Sequence, residues 1–228
     1  MNIEDNYKII QEKIEKAAER AKRRADEITL VSVSKNFPAE MILKAYACGA
    51  RVFGESRVPE ALEKMNTIDF SDIQWHFIGH LQKNKINKVL HDFHLLQSVD
   101  SIDLLKAIES RSIRDNSFPS VLIEVNTSEE DSKFGFSAEN LEEIIEQTEL
   151  LKNVKIRGLM TIALYSQVEK EVRSCFQKLK KSFDMLKKYE TDSMKMEILS
   201  MGMSHDFEWA IDEGSNMIRI GTALFGNR

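Results

Sequence analysis

The sequence predicts an α/β protein: a single (β/α)8 barrel of the TIM type, with an additional helix ahead of its first strand. Three observations carry this prediction. Short β-branched runs alternate with amphipathic helical stretches along the chain, the signature of a parallel sheet covered by helices. The runs number eight, which is the count that closes such a barrel. The 228 residues suffice for one barrel and leave no room for a second full domain, so residues 1–228 are expected to form one domain, with residues 1–25 as a helix packed on it.

The leading helix is expected from Ile3 to Arg24, because Ile3, Ile10, Ile14, Ala17 and Ala21 recur at helical spacing among Lys, Glu and Arg. The predicted strands are Thr29–Ser34, Arg51–Gly54, Ile73–Ile78, Leu95–Val99, Val121–Asn126, Lys155–Thr161, Glu197–Met201 and Met217–Ile220. The second is the weakest, and without it the pattern would suit a flavodoxin-like open sheet. Among the helices between them, one presents Met41, Ile42 and Ala45 on a single face, and another Leu141, Ile144, Ile145 and Leu151. The longest presents Val168, Val172, Phe176, Leu179, Phe183 and Leu186. Pro38 suits the first turn of a helix after Asn36, where its missing N–H has no intrahelical partner in any case. Ser101 and Ser137 read as N-caps, since a short hydroxyl accepts an N–H of the first turn.

Composition excludes several classes of function. With 42% hydrophobic and 30% charged residues, the chain has a globular core. A net charge of −5, without aromatic platforms, argues against nucleic-acid binding. No apolar stretch approaches the ~18 residues that span a bilayer. The charged first helix is unlike a secretory leader, so a cytoplasmic protein is expected. Cys48 and Cys175 form no C-x-x-C and read as buried free thiols of a reducing compartment. His76, His80, His91, His94 and His205 form no helical ligand pair, so no metal is expected. Lys83, Lys85 and Lys88 read as a solvated helical face. No apolar stripe is left over for a partner, so a monomer is expected.

In a barrel of this kind the chemistry sits at the carboxyl ends of the strands. Those ends carry Ser34-Lys35-Asn36, Gly54-Glu55-Ser56, Gly79-His80, Asn126-Thr127-Ser128, Gly202-Met203-Ser204-His205 and Gly221-Thr222. Lys35 leaves an apolar strand at the barrel mouth, where desolvation favours a neutral, nucleophilic amine. Taken alone, it reads rather as a solvated strand-end lysine, since lysines are common there. The loops after the seventh and eighth strands are the usual phosphate site of the fold. There Gly202, Met203, Ser204, Gly221 and Thr222 offer backbone N–H groups and hydroxyls to an anion. Taken alone, Ser204 reads also as the cap of a helix beginning near Asp206. Together, an imine-forming lysine and a phosphate cradle across one mouth fit a flat aldehyde with a phosphate tail, pyridoxal 5′-phosphate. Arg219 lies two residues before the cradle and is placed to face the pyridine nitrogen. A guanidinium accepts no proton, so the ring would be a weak electron sink.

On these residues the sequence resembles the pyridoxal phosphate homeostasis protein family, related to the barrel domain of alanine racemase. The matching segments are Leu30–Lys35, Phe53-Gly54-Glu55, Gln74–Gly79, Ser132-Lys133 with Gly135, Arg157–Met160, Leu199–Ser204 and Arg219–Gly226. The resemblance implies a Schiff base on Lys35, a phosphate held by Ser204, Gly221 and Thr222 beside Met203, and Arg219 at the ring nitrogen. For Lys133 it suggests a secondary part in binding or passing on the cofactor, while the residue alone reads as a loop charge. Ser56 departs from the family, which usually has Asn at that position.

Four functions follow for weighing. The first is a protein with little or no catalysis that binds pyridoxal 5′-phosphate, buffers the free aldehyde and supplies it to pyridoxal phosphate-dependent apoenzymes. The second is an amino-acid racemase or lyase, which needs a base opposite Lys35. His80 and His205 are nearest by strand-end position, and the racemases' additional β domain has no room here. A cofactor-free lysine aldolase is the third, and it leaves Arg219 unexplained except as a substrate clamp. The fourth is a module that binds another protein through the first helix or the lysine run.

Overall fold

In the computed structural model, which describes residues 2–128, 130, 133–138 and 141–227, the strands form one parallel sheet that closes on itself. They are β1 (Thr29–Val33), β2 (Val52–Glu55), β3 (Gln74–Phe77), β4 (Leu95–Val99), β5 (Ser120–Asn126), β6 (Phe136–Ser137), β7 (Lys155–Met160), β8 (Met194–Ser200) and β9 (Met217–Ile220). The order is β4-β3-β2-β1-β9-β8-β7-β5, and β4 pairs with β5 to complete the ring. Eight strands thus make the barrel, as the sequence predicts. The two-residue β6 lies outside the ring, paired with Val125 and Asn126 of β5, and is too short to show a periodicity in sequence.

The helices are α1 (Ile3–Arg20), α2 (Ala39–Ala47), α3 (Val58–Thr67), α4 (Ile102–Asp115), α5 (Glu142–Thr148), α6 (Glu169–Leu186), α7 (Phe207–Asp212) and α8 (Thr222–Phe225). Each buries one stripe against the outside of the barrel. In α6 the buried Val172, Cys175, Phe176, Leu179, Phe183 and Leu186 recur every three or four residues. The main core lies between these stripes and the outward side chains of the strands.

The barrel interior is mixed rather than aliphatic. Val31, Leu95, Leu122, Met160 and Met217 form a small apolar cluster there. His76, Gln97, Glu124, Ser200 and Arg219 are also buried. Register places them on the same inward faces, with Arg219 beside Val31 and Ser200 beside Met217. Buried polar groups are tolerated only when they satisfy one another, and their partners define the site below.

The leading helix fills a gap in the outer layer. α8 follows the last strand and has only four residues. α1 packs along α7 and α8 and against α2. Asn6 Nδ2 donates to the Leu224 carbonyl at 2.9 Å, and Arg20 pairs with Asp212 at 2.8 Å. The helix ends at Arg20 rather than Arg24, because Lys22 turns into the left-handed region at φ 55°. Other boundaries also move. β8 begins at Met194, since Met194 and Met196 are buried alternately with exposed Lys195 and Glu197. Ser101 caps α4, accepting the Leu104 N–H at 3.3 Å. Ser137 lies in β6 rather than at the start of a helix, and α5 begins after Leu141. Lys83, Lys85 and Lys88 sit on a 3-10 turn rather than an α-helical face, and Lys83 pairs with Asp103. Both cysteines are free, with Cys175 buried and Cys48 only half-buried. No helix among the described residues is long and apolar enough to cross a membrane.

Candidate functional site

Lys35 is delivered to the barrel mouth by strand alternation. Val31 belongs to the interior cluster, and Val33 touches the Gly221 position, so both face inward. The next residue of that phase is Lys35, just past the end of β1, and it is half-buried. The chain then turns sharply. The Phe37 N–H donates to the Ser34 carbonyl at 3.0 Å, and Asn36 takes a left-handed φ of 64°.

A buried ionic cluster behind the strand holds this turn. Ser34 Oγ donates to Glu55 Oε1 at 2.6 Å. Lys64 Nζ donates to the Ser34 carbonyl and to Glu55 Oε1, each at 2.8 Å, and to Glu60 Oε1 at 2.7 Å. Glu60 in turn accepts the Asn36 N–H at 2.5 Å. Burial pushes the Glu55 carboxyl up, against the opposing pull of the Lys64 and Ser34 hydrogen bonds. For Glu60 burial also works upward, but Lys64 and the Asn36 N–H outweigh it and the net direction is down. Glu55, Glu60 and Lys64 fix the lysine-bearing turn from three sides. Sequence reasoning did not single out this cluster, because nothing in linear spacing connects Ser34 with Lys64.

On the neighbouring strands β9 and β8, two loops are fastened together. The Ala223 N–H at the start of α8 donates to Ser204 Oγ at 3.2 Å, and the Arg219 N–H donates to the Gly202 carbonyl at 3.0 Å. Gly202 has φ +92°, and a Cβ there would stand 2.5 Å from the Ala210 Cβ, so the loop lies directly on α7. A cap by Ser204 on that helix is not what forms. Asp206 precedes α7, and its carboxylate accepts the Met203 N–H at 2.5 Å. Thr222 and Met203 are exposed at the rim. A Cβ on Gly221 would be 3.4 Å from that of Val33, which joins this cradle to the strand that carries Lys35.

Arg219 lies beneath the mouth. Its Nη1–H donates to Ser200 Oγ at 2.6 Å and its Nη2–H to the Thr161 carbonyl at 2.7 Å. Both partners sit at the carboxyl ends of their strands, so the guanidinium lies at that level. Burial pulls it down to about 10, opposed by Glu124 and Asp206, and it stays charged at neutral pH. Glu124 is pushed up to about 7, by burial first and by Asp100 second, against the pull of Arg219 and His80. The sequence signal for Glu124 was a carboxylate inside an otherwise apolar predicted strand.

The remaining predicted residues surround the same opening. Ser56 is half-buried after β2, and its backbone is so close to Gly79 that a Cβ on Gly79 would meet the Ser56 carbonyl at 2.2 Å. His80 Nδ1 stands 2.9 Å from Asp100, and its ring stacks on Phe134 at 4.0 Å. Lys133 pairs with Glu130 and donates to the Ala163 carbonyl at 3.2 Å. Ser132 lies outside the described residues. Lys133 also borders a cavity of about 590 Å³, together with Ile162, Tyr165, Met203, His205 and Trp209. His205 meets Tyr165 edge to face on that side. The described residues contain no cluster of three or more His, Cys, Asp or Glu side chains fit for a metal.

An amine past the end of β1, hydroxyls and amides on the adjoining loops after β8 and β9 and a fixed guanidinium below form a coherent donor set. It fits a planar molecule with an aldehyde, a ring acceptor and an anionic tail.

Comparison with known proteins points the same way. The family model of the alanine racemase N-terminal domain matches residues 3–228. A pyridoxal phosphate homeostasis protein of Aquifex aeolicus is 43% identical over 228 residues, covering 100% of this chain and 99% of the other. That of Haemophilus influenzae is 36% identical over 230 residues, covering 100% and 97%. PipY of Synechococcus elongatus, solved with PLP bound, is 34% identical and superposes with a TM-score of 0.82, covering 94% of this chain and 100% of the other. Alanine racemase from E. faecalis, at 18% identity and a TM-score of 0.71, shares the fold, with this chain covering 59% of it.

Proposed function

The chain belongs to the pyridoxal phosphate homeostasis proteins of the alanine racemase N-terminal domain family, and on that premise we propose that it binds pyridoxal 5′-phosphate on Lys35 and keeps the cofactor in reserve, with little or no catalysis of its own. The observation that supports this reading is the mouth itself: Lys35 follows the end of β1 in the phase of Val31 and Val33, and the loops joined by the Ser204–Ala223 hydrogen bond reach that strand where Gly221 meets Val33. Bound there, the cofactor supplies an aldehyde that condenses with an amine and releases water. Lys35 contributes that amine. Ser204, Gly221 and Thr222, beside Met203, hold the phosphate through hydroxyls and backbone N–H groups. Arg219 offers N–H to the ring nitrogen and no site for its proton. Ser56 borders the ring near its hydroxyl side. Exposed amines elsewhere attack a free aldehyde, so sequestering it has a chemical purpose.

The finer reading is that residues 1–228 act as one cofactor-binding domain, monomeric in the cytoplasm, that hands pyridoxal 5′-phosphate to dependent apoenzymes. Lys133 at the edge of the neighbouring cavity is placed for a secondary part in that transfer.

The test is direct. Purified protein is expected to be yellow, to lose its colour on borohydride reduction and to carry the reduced label on Lys35 by peptide mapping. Lys35→Ala is expected to be colourless. A label on another lysine overturns the assignment. Sizing by light scattering checks the monomer, and reactivation of an apoenzyme by the loaded protein checks the transfer.

A further inference from the structure

Arg219 is not held by the mouth alone. A line of buried hydrogen bonds runs from its guanidinium into the barrel, and every donor points the same way. Arg219 Nη1–H donates to Ser200 Oγ at 2.6 Å, and the Ser200 hydroxyl donates to Gln97 Oε1 at 2.7 Å. Gln97 Nε2–H then reaches His76 Nδ1 at 2.9 Å and Met217 Sδ at 3.3 Å. Ser200 and Gln97 are fully buried, and His76 is 3% exposed. These side chains come from β9, β8, β4 and β3, so the line crosses the barrel interior.

We infer that Ser200, Gln97 and neutral His76 are positioning residues that fix the guanidinium of Arg219 in the orientation that presents an N–H to the ring nitrogen of the bound cofactor. The polarity leaves one consistent assignment. Charged arginine has only donors, so Ser200 Oγ must accept from it. The serine proton is then free for the Gln97 carbonyl, which turns the amide NH2 toward His76. His76 must therefore accept at Nδ1 and carry its own proton on Nε2. Burial and the nearby His94 push its imidazole down to about 3, so it holds that neutral form throughout the physiological range. A protonated His76 would turn a second N–H on Gln97, and the line would lose its direction. The Thr161 carbonyl fixes the other guanidinium nitrogen at 2.7 Å, so the plane of the group is set at two points. Satisfied networks of this kind rigidify their members.

The inference rests on the reading that pyridoxal 5′-phosphate binds with its ring nitrogen toward Arg219. The test compares Ser200→Ala, Gln97→Leu and Arg219→Gln, each titrated with pyridoxal 5′-phosphate labelled with 15N in the ring. Wild type and the Lys35→Ala control decide the underlying reading by colour alone. Given a yellow wild type, Ser200→Ala and Gln97→Leu are expected to move the ring-nitrogen resonance in the direction that Arg219→Gln moves it. They are expected to weaken cofactor binding about tenfold, the effect of one lost hydrogen bond to a charged group. The Ser200→Ala/Arg219→Gln double variant is expected to bind no more weakly than Arg219→Gln alone. Unmoved resonances, or losses that add in the double variant, overturn the inference and leave the cofactor assignment standing. Should the interior variants not fold, NMR of the Arg219 guanidinium in wild-type apoprotein decides. Slow rotation with resolved Nη signals supports the inference, and fast averaging overturns it.

Discussion

The Ser204 hydroxyl accepts the Ala223 N–H at 3.2 Å, and this contact fastens the loop after β8 to the first turn of α8. Ser204→Ala removes both the fastening and one donor for an anion. Pyridoxal 5′-phosphate affinity is expected to fall about tenfold, from the loss of a charge-assisted hydrogen bond. The melting temperature of the apoprotein should move little, because the site is at the rim. Titration followed by the imine absorbance checks the first point and calorimetry the second.

Gly202 is where the same loop meets α7. An added Cβ would stand 2.5 Å from the Ala210 Cβ and 2.9 Å from the Phe207 Cα, at a φ of +92°. Gly202→Ala is expected to cost about 2–4 kcal/mol, combining backbone strain with overpacking. It should also weaken cofactor binding, since Met203 and Ser204 must shift. Gly226→Ala is the control. Its φ is +89° but nothing lies within 4 Å of the added atom, so only the strain, about 1 kcal/mol, remains. Equal losses for the two variants in urea denaturation would count against a packed loop.

Lys64 and Glu55 are a buried pair, with side chains 7% and 0% exposed. Lys64→Met leaves a buried carboxylate without its cation, and the cost is expected to be about 3–5 kcal/mol. The double variant Glu55→Gln/Lys64→Met should recover a large part of that loss, because the only carboxylate then left without its cation is Glu60, which is partly exposed. A double-mutant cycle in chemical denaturation measures the coupling. If the pair also steadies the Lys35 turn, the rate of imine formation falls in the double variant even where stability recovers.

Glu124 gives the apoprotein a pH signature of defined sign. Its carboxyl is pushed from an ordinary value of 4.5 up to about 7, so between those values the folded state binds more protons than the unfolded state. Stability from this group is therefore present at low pH and is lost as pH rises through about 7, by on the order of 2–3 kcal/mol. His76 works in the opposite sense. Its pKa falls from 6.5 to about 3, so its contribution is present above the unfolded value and is lost as pH falls toward the folded one. The two offset each other over much of the acid range. The test is the difference between wild type and Glu124→Gln, followed by urea denaturation from pH 5 to pH 8. The variant should gain on wild type as pH rises. A constant difference would place the Glu124 titration elsewhere.

The barrel was legible because its strands are short and β-branched and its helices carry clean stripes, as in Val172, Phe176, Leu179 and Phe183. The rim was legible for a related reason. In this fold any residue just past a strand is at the mouth, so Lys35, Ser56, Met203, Ser204, Gly221 and Thr222 could be placed by counting. What counting cannot find is partnership across the fold. Ser200, Gln97 and His76 lie far apart in sequence, and each alone reads as an ordinary strand residue. The Ser34–Glu55–Lys64 cluster is hidden for the same reason. The start of β8 was missed because Lys195 and Glu197 interrupt its apolar phase on the exposed side. Beside its reading as an anion donor, Ser204 also suits a helix cap by local pattern, whereas its hydroxyl accepts an amide nineteen residues further on.

The clasp between Asn6 and Leu224 has a consequence for how the molecule is made. The helix that seals the outer wall is made before any of the barrel strands, and the short helix it docks on is made after all eight of them. A nascent chain therefore displays Lys35 long before the loops of Ser204 and Gly221 exist. The outer wall closes only once α8 is made and α1 can dock on it.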